Sequence, residues 1–299
     1  MNRISGSLAA FGVAALGIAL FAIMDSVMKG LSIALGAYNA MLWRSLLGTL
    51  IGGAVFLARR NRWPVWKVLR VHLIRGAVAG ASATIFFWGL ARVPLADGVA
   101  LAFIAPLIAL FLAAVLLGEH VPKSAVAGSL LGLSGVAVIL LGGIDGHYSS
   151  AALWGMAAVL IAALLYAYNI ILMRQQAQLA DATEIAFFQN LTVAFNLALA
   201  APFLAVLPEQ HHWNAIAGAA LLGFLSLFLL GWAYARAEAN YLVNVEYSAF
   251  LWASLLGYAV FGEPLTMTTL AGAALIVAGC LLAAWQKPPV SGPVETVAL

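Results

Sequence analysis

Ten apolar stretches, each about as long as a bilayer's hydrocarbon core is thick, follow one another along this chain with only short polar breaks between them. A helix needs about 20 mostly apolar residues to cross that core. On this scale, spans fall near residues 7–29, 36–57, 71–91, 95–117, 124–142, 152–173, 184–207, 214–235, 239–261 and 267–285. The breaks carry turn chemistry: Arg59–Pro64, Gly118–Lys123, Gly142–Ser149, Pro208–Trp213 and Gly262–Thr266. Runs of this length read as helices, which satisfy their own backbone polar groups inside lipid. The predicted class is an all-α integral membrane protein of ten transmembrane helices. A water-soluble alternative fails on composition, because 8% charged residues cannot cover the surface of a chain that is 65% hydrophobic. Residues 286–299 are rich in proline and polar groups and are expected to form a disordered tail.

The few charges set an orientation. With the N-terminus inside, the cytosolic ends of the spans hold Arg3, Arg59, Arg60, Arg62, Lys67, Arg70, Lys123, Arg174, Arg236 and Lys287, and the opposite ends hold Lys29 and Arg92. That bias predicts two cytoplasmic termini. The first span reads as a retained helix, since no convincing small-residue cleavage site follows it. A net charge of +3, with its basic residues gathered at one loop, is no nucleic-acid footprint. The lone Cys280 excludes an intrachain disulfide. No soluble nucleotide-binding domain and no Walker-type glycine loop fits between the spans.

An internal repeat adds more. A shift of 144 residues carries Trp88, Ala91 and Arg92 onto Trp232, Ala235 and Arg236, and Gly118–Glu119 onto Gly262–Glu263. The same shift carries Ala127–Gly128 onto Ala271–Gly272 and Gly135 onto Gly279. The predicted domains are a first five-helix unit, 7–142, and a second, 152–285. Five is odd, so the second unit enters the membrane from the other side and the two are inverted. Inverted repeats are a recurring construction of secondary transporters, with the ligand near the midplane between the halves.

The residues at the ends of these units are recognisable. LAFIAPLIALFLAAVLLGEHVPKSAVAGSLLGLSGVAVIL (101–140) resembles the end of a repeat in the drug/metabolite transporter superfamily, EamA type, and SAFLWASLLGYAVFGEPLTMTTLAGAALIVAGCLL (248–282) resembles its second copy. LWRSLLG (42–48) is similar to the arginine-bearing second helix of that family. The resemblance spans about residues 7–285, with Phe250 standing where the first copy has Pro106. It implies a ten-helix transporter of small metabolites in a bacterial inner membrane, with helices 1, 3, 4, 6, 8 and 9 around the cavity. The branch it points to is the YddG-type exporters of aromatic and other neutral amino acids.

Several side chains stand out within the spans. Arg44 lies inside the second span, where a charge must pair, face water or bond carbonyls. Asp25 and Lys29 are one helical turn apart and can pair, either as a structural or interfacial ion pair or as a gate or substrate contact. On the ninth span Asn240, Asn244 and Ser248 form one polar stripe, and Glu246 lies on another face; each could hold a polar group of a substrate or be satisfied by a neighbouring helix. Phe103, Tyr247 and Trp252 lie deep enough to give an aromatic lining, although lipid contact is the competing reading. Trp88 lies near a helix end, where interfacial anchoring is the default. Thr84 and Asn169 complete the candidate substrate-binding set. Gly128, Gly132 and Gly135 form a small-residue face for packing within the chain or for a homodimer.

No catalytic grouping of Ser, His and Asp, no carboxylate pair and no metal-binding motif is visible, and the adjacent His211 and His212 do not make a metal site. The expected function is therefore a secondary transporter that exports a small molecule, with an amino acid favoured, across the inner membrane by alternating access. It needs no cofactor and acts as a monomer or a homodimer. A drug, nucleobase or other metabolite exporter is the alternative within transport. An embedded enzyme or a channel is the alternative outside it, and the repeat argues against both.

Overall fold

The computed structural model describes residues 2–59, 63–117, 123–141, 149–177, 179–234 and 247–284. Among these every regular element is helical: α1 Asn2–Leu35, α2 Ala37–Ala58, α3 Trp66–Leu90, α4 Leu95–Ala102, α5 Ala105–Leu117, α6 Lys123–Leu141, α7 Ser150–Ala177, α8 Ala182–Ala198, α9 Ala201–Leu204, a 3₁₀ turn Gln210–His212, α10 Trp213–Tyr234, α11 Ser248–Phe261 and α12 Met267–Ala284. Five are long and apolar enough to cross a membrane, over Ala9–Leu35, Ala37–Ala58, Trp66–Leu90, Ser150–Met173 and Gln210–Leu230. Shorter apolar helices lie at Leu95–Ala109, Val126–Leu141, Ser248–Phe261 and Met267–Leu282.

Local chemistry explains the boundaries. α1 runs six residues beyond the expected end at 29, and stops where Gly36 turns the chain with φ +77°, a conformation that disfavours a Cβ. The fourth span is two helices rather than one. Pro106 has no N–H to give the carbonyl of Ala102, and the chain tightens through Phe103 N→Ala100 O (3.2 Å) and Ile104 N→Leu101 O (3.2 Å) before α5 resumes. The seventh span likewise ends early, at Ala198, with Pro202 opening the short α9. α8 starts on an Asp181 cap, whose carboxylate accepts from Thr183 N at 2.8 Å and Glu184 N at 2.9 Å.

The main helix pairings are α6 with α12, α3 with α7, α1 with α10 and α2 with α8. Each joins the first part of the chain to the second. A shift of 144 residues takes α1 onto α7 and α3 onto α10, so the α1–α10 and α7–α3 pairs are one contact made twice. The small residues show the same reciprocity. A Cβ on Gly135 would stand 2.5 Å from the carbonyl oxygen of Gly272, and one on Gly279 would collide with that of Gly128. Gly272 and Gly279 lie 144 residues after Gly128 and Gly135. These glycines serve intrachain helix packing, the first of the two roles their spacing allows. Large apolar side chains such as Leu57, Val115, Phe203 and Met267 project outward at 75–88% exposure, a surface suited to lipid.

Candidate functional site

Polar side chains gather at three levels of the bundle, and the levels have different chemistry. The first is at the end that carries the α1–α2 turn. Gly262 closes α11 in the left-handed region (φ +67°), with Gly262 N→Tyr258 O at 3.0 Å and Glu263 N→Gly257 O at 3.1 Å. This turn aims Glu263 back into the protein. Its Oε2 accepts from Leu95 N at 2.7 Å, at the positive N-terminus of α4, and its Oε1 forms an ion pair with Lys29. Lys29 Nζ also donates to Val93 O at 2.6 Å and stands 4.9 Å from the Phe261 ring centre. Beside it, Thr269 Oγ1 donates to the buried Asp97. The cluster ties α1, the α3–α4 connection and the α11–α12 turn together.

This corrects one expectation. Lys29 does not pair with Asp25. Its long side chain runs to the helix end, where a carboxylate and a carbonyl both await it, whereas Asp25 lies one turn deeper. Glu263 is the residue that sequence reasoning missed, because the Gly-Glu pair reads as a helix stop. The available signal was a lysine inside a span, which calls for a carboxylate at the same depth.

The second level is near the middle of the bundle. Asp25 on α1 is buried, and its electrostatic partner is Arg44 on α2. Arg44 Nη1 donates to Met24 Sδ at 3.5 Å and lies against Gly223 of α10, while its Nε is buried without a partner. On the other side of the middle, Phe103 at the α4–α5 break meets Tyr247 at the start of α11 edge to face, with ring centres 5.6 Å apart. Cys280 Sγ of α12 donates to Phe103 O at 3.4 Å. Phe103 and Tyr247 are themselves 144 residues apart.

The third level is near the opposite end, where α2 finishes. Buried Arg75 donates to Asn169 Oδ1 at 3.3 Å and to Gln176 Oε1. Gln176 bonds His72 Nδ1, and His72 Nε2 meets Glu184 Oε1 at 2.8 Å. The His72 ring stacks on Phe188 at 4.8 Å, and Arg59 donates to Thr183 Oγ1 at 2.9 Å. Asn169 is thus part of a structural network joining α3, α7 and α8.

The other candidates are scattered. Thr84 Oγ1 bonds back to Gly80 O at 2.7 Å within its own helix. Trp88 is 40% exposed and lies under the Arg92 guanidinium at 3.6 Å, as an interfacial anchor would. Trp252 is 37% exposed on a flank of α11, away from the buried line Phe250, Ala253 and Gly257. Asn244 and Glu246 lie outside the described residues, as do Glu119 and all of the ninth span before Tyr247.

Two matching segments decide the family. The EamA-like transporter family profile matches residues 8–141 and again 153–285. The chain belongs to the EamA-like transporter family. The pseudopaline exporter of Pseudomonas aeruginosa is 25% identical over 265 residues, 87% of this chain and 90% of that protein. A probable terminal-alkyne amino-acid exporter of Streptantibioticus cattleyicolor is 29% identical over 208 residues, 65% of this chain and 66% of that protein. A solved crystal structure aligns with a TM-score of 0.61 and 26% identity, over 94% of this chain and 97% of its own. As an EamA-like protein, the chain is a membrane transporter of a small molecule.

Proposed function

We propose that this EamA-like protein is a secondary transporter that exports small metabolites, with neutral and aromatic amino acids as the substrate class, across a bacterial inner membrane. Transport is by alternating access between two inverted five-helix repeats, 7–142 and 152–285, which give ten spans with both termini in the cytoplasm. One observation carries the reading. Phe103 and Tyr247, equivalent under the repeat, touch each other, and residues related by a two-fold axis meet only on that axis. Ligands of inverted-repeat transporters bind where this axis crosses the midplane. The reciprocal glycine contacts support the same axis.

The substrate site lies around the Phe103–Tyr247 contact. Trp252 and Thr84 extend its wall, and Asn244 and Glu246 supply polar anchors, whereas Asn169 and Trp88 serve the network and the interface described above. In this reading Lys29 and Glu263 close the outer end of the bundle. Export is supported by the names of the two relatives above, and the amino-acid class by the second of them. Proteoliposome counterflow with a panel of the common amino acids tests the reading. Neutral and aromatic members are expected to exchange, and exchange of none of them would overturn the substrate class. For topology, an impermeant thiol reagent applied to intact cells is expected to label a cysteine at Ser149 and spare one at Asn61.

A further inference from the structure

Asp25 and Arg44 are opposite charges deep in an apolar bundle, and they do not touch. The ion-pair contacts among the described residues are Lys29–Glu263, His72–Glu184 and His211–Glu209. Among the described residues no hydrogen bond reaches the Asp25 carboxylate, and only 9% of the residue is exposed. Arg44 makes one weak contact, to a thioether, and its Nε has none. Yet Arg44 Nη1 reaches the sulfur of Met24, the residue next to Asp25, so the two charges lie beside each other across the α1–α2 hairpin. Counting from the Gly36 turn at 1.5 Å per residue puts Asp25 about 16 Å and Arg44 about 12 Å into the bundle. A hydrocarbon core is about 30 Å thick, so both stand near its middle.

A buried carboxylate and a partly buried guanidinium would ordinarily close on each other, because separated charges in a low-dielectric interior are costly. Here Asp25 is on α1 and Arg44 on α2, with Gly223 of α10 presenting no side chain beside the guanidinium. A cationic group placed on the Asp25 side and an anionic group on the Arg44 side would satisfy both. The planar guanidinium suits a carboxylate in particular.

We infer that Asp25 and Arg44 form a zwitterion clamp at the α1–α2–α10 junction, in which Asp25 receives the α-ammonium of an amino acid and Arg44 its α-carboxylate. The inference deepens the proposed amino-acid function and rests on it. The clamp selects the shared head of the substrate, while the aromatic surface at Phe103 and Tyr247 meets the variable side chain. It also gives the two charges a reason to stay apart in the unliganded chain.

The test is ligand-induced thermal stabilisation of the full chain in nanodiscs, with three probes: L-phenylalanine, phenethylamine and 3-phenylpropanoate. L-phenylalanine is expected to bind at least about tenfold more tightly than either one-charge analogue, since each lost charge-assisted hydrogen bond is worth about ten- to a hundredfold. In Asp25→Asn the preference for L-phenylalanine over 3-phenylpropanoate collapses, and in Arg44→Gln the preference over phenethylamine collapses. A merely structural role would weaken all three probes together. Equal binding of the three by the unmodified protein would overturn the clamp, and so would unchanged discrimination in both variants. Should either variant fail to fold, the binding order in the unmodified protein decides alone. If counterflow shows export of solutes that are not zwitterions, the clamp falls and the transporter reading stands.

Discussion

Lys29 and Glu263, 234 residues apart in sequence, form a buried ion pair whose two members each also hold the backbone of the α3–α4 connection, Lys29 through Val93 O and Glu263 through Leu95 N. The pair is asymmetric, with Lys29 2% and Glu263 20% exposed. Removing the carboxylate strands a buried ammonium, whereas removing the ammonium leaves a carboxylate that water and a helix N-terminus can still serve. Glu263→Gln is therefore expected to cost about 3–5 kcal/mol, and Lys29→Met distinctly less. The double variant should recover part of the loss. Thermal denaturation in nanodiscs measures all three, and equal costs for the two single changes would count against the pair as a latch.

The reciprocal glycines make a second prediction, one about symmetry. Gly135→Ala drives a methyl toward the Gly272 carbonyl, and Gly279→Ala drives one toward the Gly128 carbonyl. Both must separate α6 from α12, so both should lose about 1–3 kcal/mol, the usual cost of overpacking. Gly12→Ala, where nothing lies within 4 Å, is the control and should be near neutral. A large effect at only one of the two paired positions, read from melting temperatures, would show that the contacts are not equivalent.

How far the sequence disclosed this protein depends on the range of the interaction. Span-length apolar runs and the 144-residue shift make helices, repeat and family legible, because hydropathy and self-similarity are properties of consecutive residues. The broken fourth span was half visible, in Pro106. What stayed hidden was long-range polar pairing. Asp25 and Lys29 looked like partners because four residues along a helix is a local relation, while the actual partner of Lys29 arrives from the end of α11. The Arg75–Asn169 contact crosses from α3 to α7 and left no spacing to read. The Asp25–Arg44 juxtaposition spans a helical hairpin, and the sequence treated the two residues separately.

The Arg75 network yields a prediction about stability alone. Arg75→Leu would leave Asn169 Oδ1 and Gln176 Oε1 buried without their donor. Each such group costs about 1–3 kcal/mol. The variant should melt earlier and accumulate less in membranes, with the surviving protein moving every substrate in the same proportions as before. Altered proportions in counterflow would instead make Asn169 part of the substrate wall.

The final prediction concerns the aromatic contact at the repeat axis. Phe103 and Tyr247 form an edge-to-face pair, a geometry worth about 0.5–1.5 kcal/mol beyond its buried area. Tyr247→Ala removes one ring from the proposed midplane site and opens space beside the other. Large amino acids should then gain relative to small ones, because a pocket that loses bulk stops discriminating by size at about 1–3 kcal/mol per methylene. Phe103→Ala should shift preference in the same direction, since the repeat places the two rings equivalently. Trp252→Ala separates lining from lipid contact: its ring is 37% exposed, and either environment accounts for that. A shift of preference in counterflow assigns Trp252 to the cavity, whereas a uniform change of rate assigns it to the lipid face. If Tyr247→Ala and Phe103→Ala also scaled every substrate alike, the two rings would be packing elements, and the proposed lining around them would be wrong.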